Sequence, residues 1–283
     1  MTLSAVPAPR VRRPDPSGSL RLQLTFADTR RQERCALILS TVAGFPDPLT
    51  GRAVQHLLAQ SADIVQLRVP HVDMVRDGPA VRQAARTALQ AGFRMPETFA
   101  AAQELTAGTR VPVVISTHWQ PVHTYGAARF AHHAAAAGVG AVLIRDLPLD
   151  QARPWRAIAR TASLGTIPLL APTVKPDRLE RIVTHATGLI YASATTGLTG
   201  NTEPVGSHLP ALISQVRDLT TLPVAATTGL STPNQVRTAA AWVDAVVVHS
   251  AVIRRIQAEP RAPIAAAASI ARTLAAALRP KAL

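Results

Sequence analysis

Four short phrases repeat one theme along the chain: ADIVQL (62–67), VGAVLI (139–144), TGLIYA (187–192) and VDAVVV (243–248). In each, a small residue or an acid leads a run of mostly β-branched and aliphatic residues. Runs apolar at every position, rather than at alternate ones, belong to parallel strands buried on both faces. The spacing between such runs is helical. Eight runs can be placed, at 35–44, 63–69, 111–116, 140–146, 166–172, 187–193, 222–229 and 243–250. Helical patterns fall between them at 48–61, 80–91, 97–107, about 125–137, about 149–161, after Pro176, at 207–219 and from Thr232; 251–257 and 262–278 follow the last. Eight strands each followed by a helix, with no second β-rich region, predict a (β/α)₈ (TIM) barrel, a fold of about 250 residues. A doubly wound open sheet is the alternative with the same alternation. Residues 1–19, rich in Pro and Arg, are expected to be a disordered tail, 20–33 a helix closing the bottom of the barrel, and 20–283 a single barrel domain.

Aromatic residues are only 4% of the chain while 47% of it is hydrophobic, so the core must rest on Ala, Val, Leu and Ile. No run reaches the roughly 18 apolar residues of a membrane span. Cys35 is the only cysteine, which excludes an internal disulfide and fits a reducing, cytoplasmic setting. The net charge of +13 invites a nucleic-acid reading. Of the 30 basic residues only Lys175 and Lys281 are lysine, and the arginines are scattered without interleaved aromatics, so nucleic acid is not the expected partner.

The candidate chemistry begins in ADIVQLRVPHVDMVRDGP (62–79), where a strand stops at Pro70 and a loop with His71, Asp73, Arg76 and Asp77 follows. A polar loop after a barrel strand is where this fold places active sites. Gln66 and Arg68 share parity, so both point to one side of the strand. Glycine turns follow strands six and seven, TTGLTG (195–200) and TTGLS (227–231), and His249-Ser250 opens the helix after strand eight. Loops and helix N-termini in these places bind phosphate, with Gly200, Gly229 and Ser250 as the expected donors. His118, His123, His132 and His133 lack the ligand set of a zinc site, and no metal or cofactor is expected.

IYASATTGLTG, VAATTGLSTPNQV and VVVHSAVIRRI resemble the C-terminal third of the tryptophan synthase α subunit. LLAPTVKPDRLERI (169–182), VLIRDLP (142–148) and LILSTVAGFPDP (37–48) resemble its middle and first strand. The resemblance runs over about residues 20–275. It implies a barrel that cleaves indole-3-glycerol phosphate to indole and glyceraldehyde 3-phosphate, working with a pyridoxal-phosphate β subunit docked over the mouth. It also implies a glutamate general acid/base where this chain has Gln66, and a glycine where it has Arg68. Asp77 matches the aspartate that holds the indole N–H. Ser40, His118 and Thr228 stand at positions that usually line the ring with apolar or aromatic groups, while Tyr191 keeps its ring. Thr199, Gly200, Gly229, His249 and Ser250 match the phosphate site, and Asp73, Met74, Gln120 and Asp146 the β-subunit contact. His118 reads either as a substitute base or as an ordinary strand-end residue. Three functions fit these residues: a lyase acting on indole-glycerol phosphate or on a more polar phosphorylated substrate, a non-catalytic regulatory subunit for a β-type enzyme, and, least of all, a nucleic-acid binder.

Overall fold

The computed structural model describes residues 17–73, 77–195 and 204–278. Its elements run α1 (Gly18–Arg31), β1 (Ala36–Val42), α2 (Pro48–Ala59), β2 (Ile64–Arg68), α3 (Pro79–Gln90), α4 (Met95–Gly108), β3 (Val113–Thr117), α5 (Trp119–Tyr125), α6 (Ala127–Ala136) and β4 (Val139–Ile144). A 3₁₀ turn (Leu149–Gln151) leads to α7 (Arg153–Thr161), followed by β5 (Gly165–Thr166), β6 (Leu169–Leu170), α8 (Pro176–Thr184), β7 (Ile190–Ser193), α9 (His208–Leu219), β8 (Val224–Thr227), α10 (Pro233–Ala240), β9 (Ala245–Val248), α11 (Ser250–Ala258) and α12 (Pro263–Ala277). The strands are parallel and ordered β5-β4-β3-β2-β1-β9-β8-β7-β6. The two ends of that order, β5 and β6, are the halves of the fifth strand expected from the sequence. Its first half pairs with β4 and its second with β7, so the sheet closes into a (β/α)₈ barrel.

Strand five is split because Pro168 has no N–H to give a ladder. Around it the backbone still binds both neighbours: Ile167 N–H donates to Val142, and Tyr191 N–H donates to Pro168. The helix expected at about 125–137 is α6, and a further helix not expected from the sequence, α5, precedes it. Gly126 between them has φ +93°, which an L side chain rarely adopts.

The acid that leads two of the repeated phrases has a structural role. Asp63 accepts the Leu37 N–H at 2.8 Å and Asp244 the Val224 N–H at 2.7 Å, each fixing the start of the preceding strand. Arg34 and Arg217 hold these carboxylates in place. At the bottom of the barrel, Leu22 and Phe26 of α1 join Ile38, Ile64, Val114, Leu143 and Val247 in an interior core. Gly18 is required there, since a Cβ would lie 2.2 Å from the Gly138 carbonyl oxygen. Among the described residues, no helix is long and apolar enough to cross a membrane.

A cleft of about 760 Å³ opens between α7 and α8, along the outside of strand five, and reaches Arg145. The chemistry-bearing side chains converge instead inside the barrel mouth.

Candidate active site

Strand parity places the site. Ile38 and Ile64 face the interior core, so Ser40, Gln66 and Arg68 face it too, one and two steps nearer the C-terminal mouth. The register pairs Ser40 with Gln66 across β1 and β2, and Arg68 with Ser116 across β2 and β3. The side chains of Gln66 and Arg68 are 3% and 2% exposed, so an amide and a guanidinium do share the barrel interior.

Gln66 lies in a one-way chain of hydrogen bonds. The Tyr191 hydroxyl donates to Gln66 Oε1 at 2.8 Å, and Gln66 Nε2 donates to Ser40 Oγ at 2.8 Å. Ser40 Oγ lies 2.9 Å from His249 Nδ1. The assignment that uses each hydrogen once sends the Ser40 hydroxyl to Nδ1 and leaves the ring proton of His249 on Nε2. That Nε2 is buried without a hydrogen-bond partner. Both ends of the Gln66 amide are occupied, and an amide does not titrate.

Arg68 pairs with the buried Asp77, and Arg145, at the mouth end of β4, stands 3.7 Å from the other Asp77 oxygen. Burial, and then repulsion from Arg145, pushes the Arg68 guanidinium down to about 9, so it is charged at neutral pH. Burial alone would raise the Asp77 carboxyl, but Arg68 and Arg145 outweigh it and hold its pKa below the usual range. The partners are unequal because the carboxylate sees two cations while Arg68 sees one anion and one like charge.

At the mouth end of β8, Thr228 and Gly229 form a turn with φ +63° and +81°. A Cβ on Gly229 would lie 2.3 Å from the Thr195 side chain. Ser250 opens α11 with His249 at its N-cap, so unpaired N–H groups of the first turn stand beside that glycine turn. Gln66, Arg68, Arg145, Tyr191, Thr228, Gly229, His249 and Ser250 all line one cavity of about 20 Å³, room for about one water molecule.

His118 is buried where β3 ends, with its Nδ1 unpartnered and its ring edge-to-face with His71 at 5.6 Å. His71 Nδ1 accepts the Asp73 N–H, and its Nε2 lies 2.9 Å from Gln120 Oε1. Asp146 is exposed and accepts the Trp119 N–H at 2.7 Å. His71, Asp73, Gln120 and Asp146 thus form one cluster on the rim, beside the interior set. Thr199, Gly200 and Met74 lie outside the described residues. The residue that sequence reasoning missed is Arg145. Its parity with Ala141 and Leu143 on strand four was the available signal.

Burial, with Arg68 nearby, pushes His249 down to about 3 and His118 down to about 4. Both are neutral in the folded chain at pH 7. Because the folded pKa values are depressed, the unfolded chain binds the extra protons below about 6.5. Stability is therefore expected to fall as pH drops from about 6.5 toward 3–4, by roughly 1.4 kcal/mol per pH unit for each histidine. Urea unfolding at pH 7, 6 and 5 checks this: His249→Gln should flatten the slope, and an unchanged slope would place the titration elsewhere.

A family model described as "Tryptophan synthase alpha chain" matches residues 26–279. The tryptophan synthase alpha chain of Geobacter sulfurreducens is 36% identical over 235 residues, covering 83% of this chain and 89% of the relative. That of Thermosynechococcus vestitus is 35% identical over 258 residues, covering 89% and 96%. A solved structure of Mycobacterium tuberculosis tryptophan synthase superposes with a TM-score of 0.85 at 32% identity, covering 92% of this chain and 98% of that one. On sequence and on structure alike, the chain belongs to the tryptophan synthase alpha chain family.

Proposed function

We propose that this barrel binds a phosphorylated small molecule at the Thr228-Gly229 and His249-Ser250 turns, and lacks the acid/base group for ordinary indole-glycerol phosphate cleavage. One observation carries the reading: Gln66 stands at the centre of the interior, tied by hydrogen bonds to Tyr191 and Ser40. The family resemblance puts a carboxylate there. An amide cannot take or give the proton of the cleavage step, a role worth about 10²–10⁴ in rate. Five neighbours support the divergence. Arg68 fills space where the resemblance implies glycine, and Ser40, Ser116, His118 and Thr228 offer polar groups where an indole ring would need apolar burial.

Calorimetric titration with inorganic phosphate tests the phosphate site. One saturable site is expected, weakened roughly tenfold or more by Gly229→Val, whose side chain would meet Thr195 and block backbone approach. Equal affinity in a variant shown by its melting curve to be folded would move the ligand elsewhere.

A second reading, that the chain docks on and regulates a β-type subunit, is favoured by the rim. Val72 and Leu49 are 84% and 81% exposed on the loop after β2 and at the start of α2, and Val72 adjoins the His71–Asp73–Gln120–Asp146 cluster. Both stand past the C-terminal ends of their strands, the end of the barrel where the resemblance implies the β-subunit contact.

A further inference from the structure

The mouth of the barrel holds more buried charge than a phosphate turn requires. Arg68 is among the largest fully buried side chains of the molecule, and its partner Asp77 is 0% exposed. Arg145 approaches the same carboxylate from the other side at 3.7 Å, too far for a hydrogen bond. Two guanidiniums therefore share one carboxylate. His118 and His249 are neutral, and the nearby Asp146 is exposed and turned to the Trp119 N–H. Among the described residues the interior is short of one negative charge, and an uncompensated buried charge is costly. Arg68 Nε, Asp77 Oδ1 and His249 Nε2 are also buried without hydrogen-bond partners. Orphaned polar atoms gathered in one place mark where another molecule's polar groups would go. Arg68 and Arg145 line the same cavity as Gly229 and Ser250, so a molecule held by the phosphate turns extends toward both guanidiniums.

We propose that Arg68 and Arg145 form a carboxylate subsite, and that the barrel takes a small phosphorylated acid whose carboxylate lies beside Asp77 against the two guanidiniums. The proposal rests on the phosphate reading above and names the substrate class for that site. Charge then closes, with two guanidiniums facing two carboxylates. A planar guanidinium matches a carboxylate in geometry as well as charge. The cavity must widen to admit such a molecule. Asp77 belongs to the loop after β2 rather than to a strand, so it can shift to share the two guanidiniums with the incoming carboxylate. Ser40, Ser116, His118 and Thr228 would then face the hydroxyl-bearing carbons of a hydrophilic chain.

Calorimetric titration of the full chain with 3-phosphoglycerate and with glycerol 3-phosphate tests this, since the two differ by a carboxylate against a hydroxymethyl group. The acid is expected to bind roughly tenfold or more tightly. Arg145→Met, at a half-buried position, should bring the ratio near one. Asp77→Asn should tighten binding of the acid by removing its internal competitor, whereas a purely structural ion pair would give no gain. A ratio near one in the wild type, or an unchanged ratio in Arg145→Met, overturns the proposal. Inorganic phosphate and glycerate separate it from the phosphate reading. Glycerate binding that is lost in Arg145→Met, with no phosphate binding, keeps the carboxylate subsite and removes the phosphate site. Phosphate binding with no preference for the acid does the reverse, and no binding of any of the four ligands overturns both.

Discussion

Indole is expected to leave indole-glycerol phosphate about 10²–10⁴ times faster with the Gln66→Glu/Arg68→Gly double variant than with the wild-type chain. Gln66→Glu alone should gain much less. A glutamate in that place would accept the Tyr191 hydroxyl as the amide does, and Ser40 could turn its hydroxyl toward the new carboxylate. Burial would raise its pKa, but Arg68 on the same side of the strand would lower it and hold it as an ion-paired, weak base. Removing Arg68 frees both the carboxylate and the space its guanidinium fills. Substrate binding should stay weak even then, because Ser40, His118 and Thr228 leave the ring poorly held. Indole release under single-turnover conditions, with and without a β subunit, reads the result. Wild-type release as fast as in the double variant would mean that another group, His118 first, moves the proton. Silence from both, with phosphate still bound, would favour the phosphorylated-acid or regulatory reading.

Asp77→Ala is expected to destabilise the fold by about 3–5 kcal/mol, the usual consequence of removing one partner of a buried ion pair. It leaves Arg68 buried beside Arg145 with no anion between them. Against a total stability of about 5–15 kcal/mol this is large but survivable. Made in an Arg68→Leu background, the same change should cost less, because only the half-buried Arg145 is then stranded. The double-mutant cycle by urea unfolding measures the difference. Acid should act in the same direction. The Asp77 pKa is depressed, so its contribution is complete above roughly pH 4 and is lost as pH falls through the folded value. Equal losses in the two backgrounds would show that Arg68 and Asp77 are not energetically coupled.

Much of this was legible in the chain. The β-branched runs gave eight strands because a parallel barrel strand is apolar on both faces, and period-two parity put Gln66 and Arg68 on one side. Gly229 was legible because its turn needs positive φ. Other features depend on contacts between residues distant in sequence. Gln66, Ser40 and Tyr191 come from three strands and His249 from the turn after a fourth, and their chain of hydrogen bonds exists only once the register is set. The resemblance implied a ligand-holding role for Asp77, while its engagement by Arg68 and Arg145 depends on the fold. The split of strand five was readable in Pro168, but TIPLLAP is apolar throughout and passes for one strand. Gly126 hid α5 by separating it from α6 where the helical pattern had seemed to begin.

That split strand has a consequence for how the molecule fails. A closed ring of strands has no free edge on which another chain can build. Here the ring depends on one strand made of two two-residue ladders, Gly165–Thr166 on β4 and Leu169–Leu170 on β7. If that clasp is lifted out, the edges laid bare are Val-Gly-Ala-Val-Leu-Ile of β4 and Ile-Tyr-Ala-Ser of β7, both apolar and suited to pairing with a second copy. Gly165 is the tight point, since a Cβ there would meet the Gly188 Cα at 2.9 Å. Damage at this glycine would therefore surface first as aggregation of the chain.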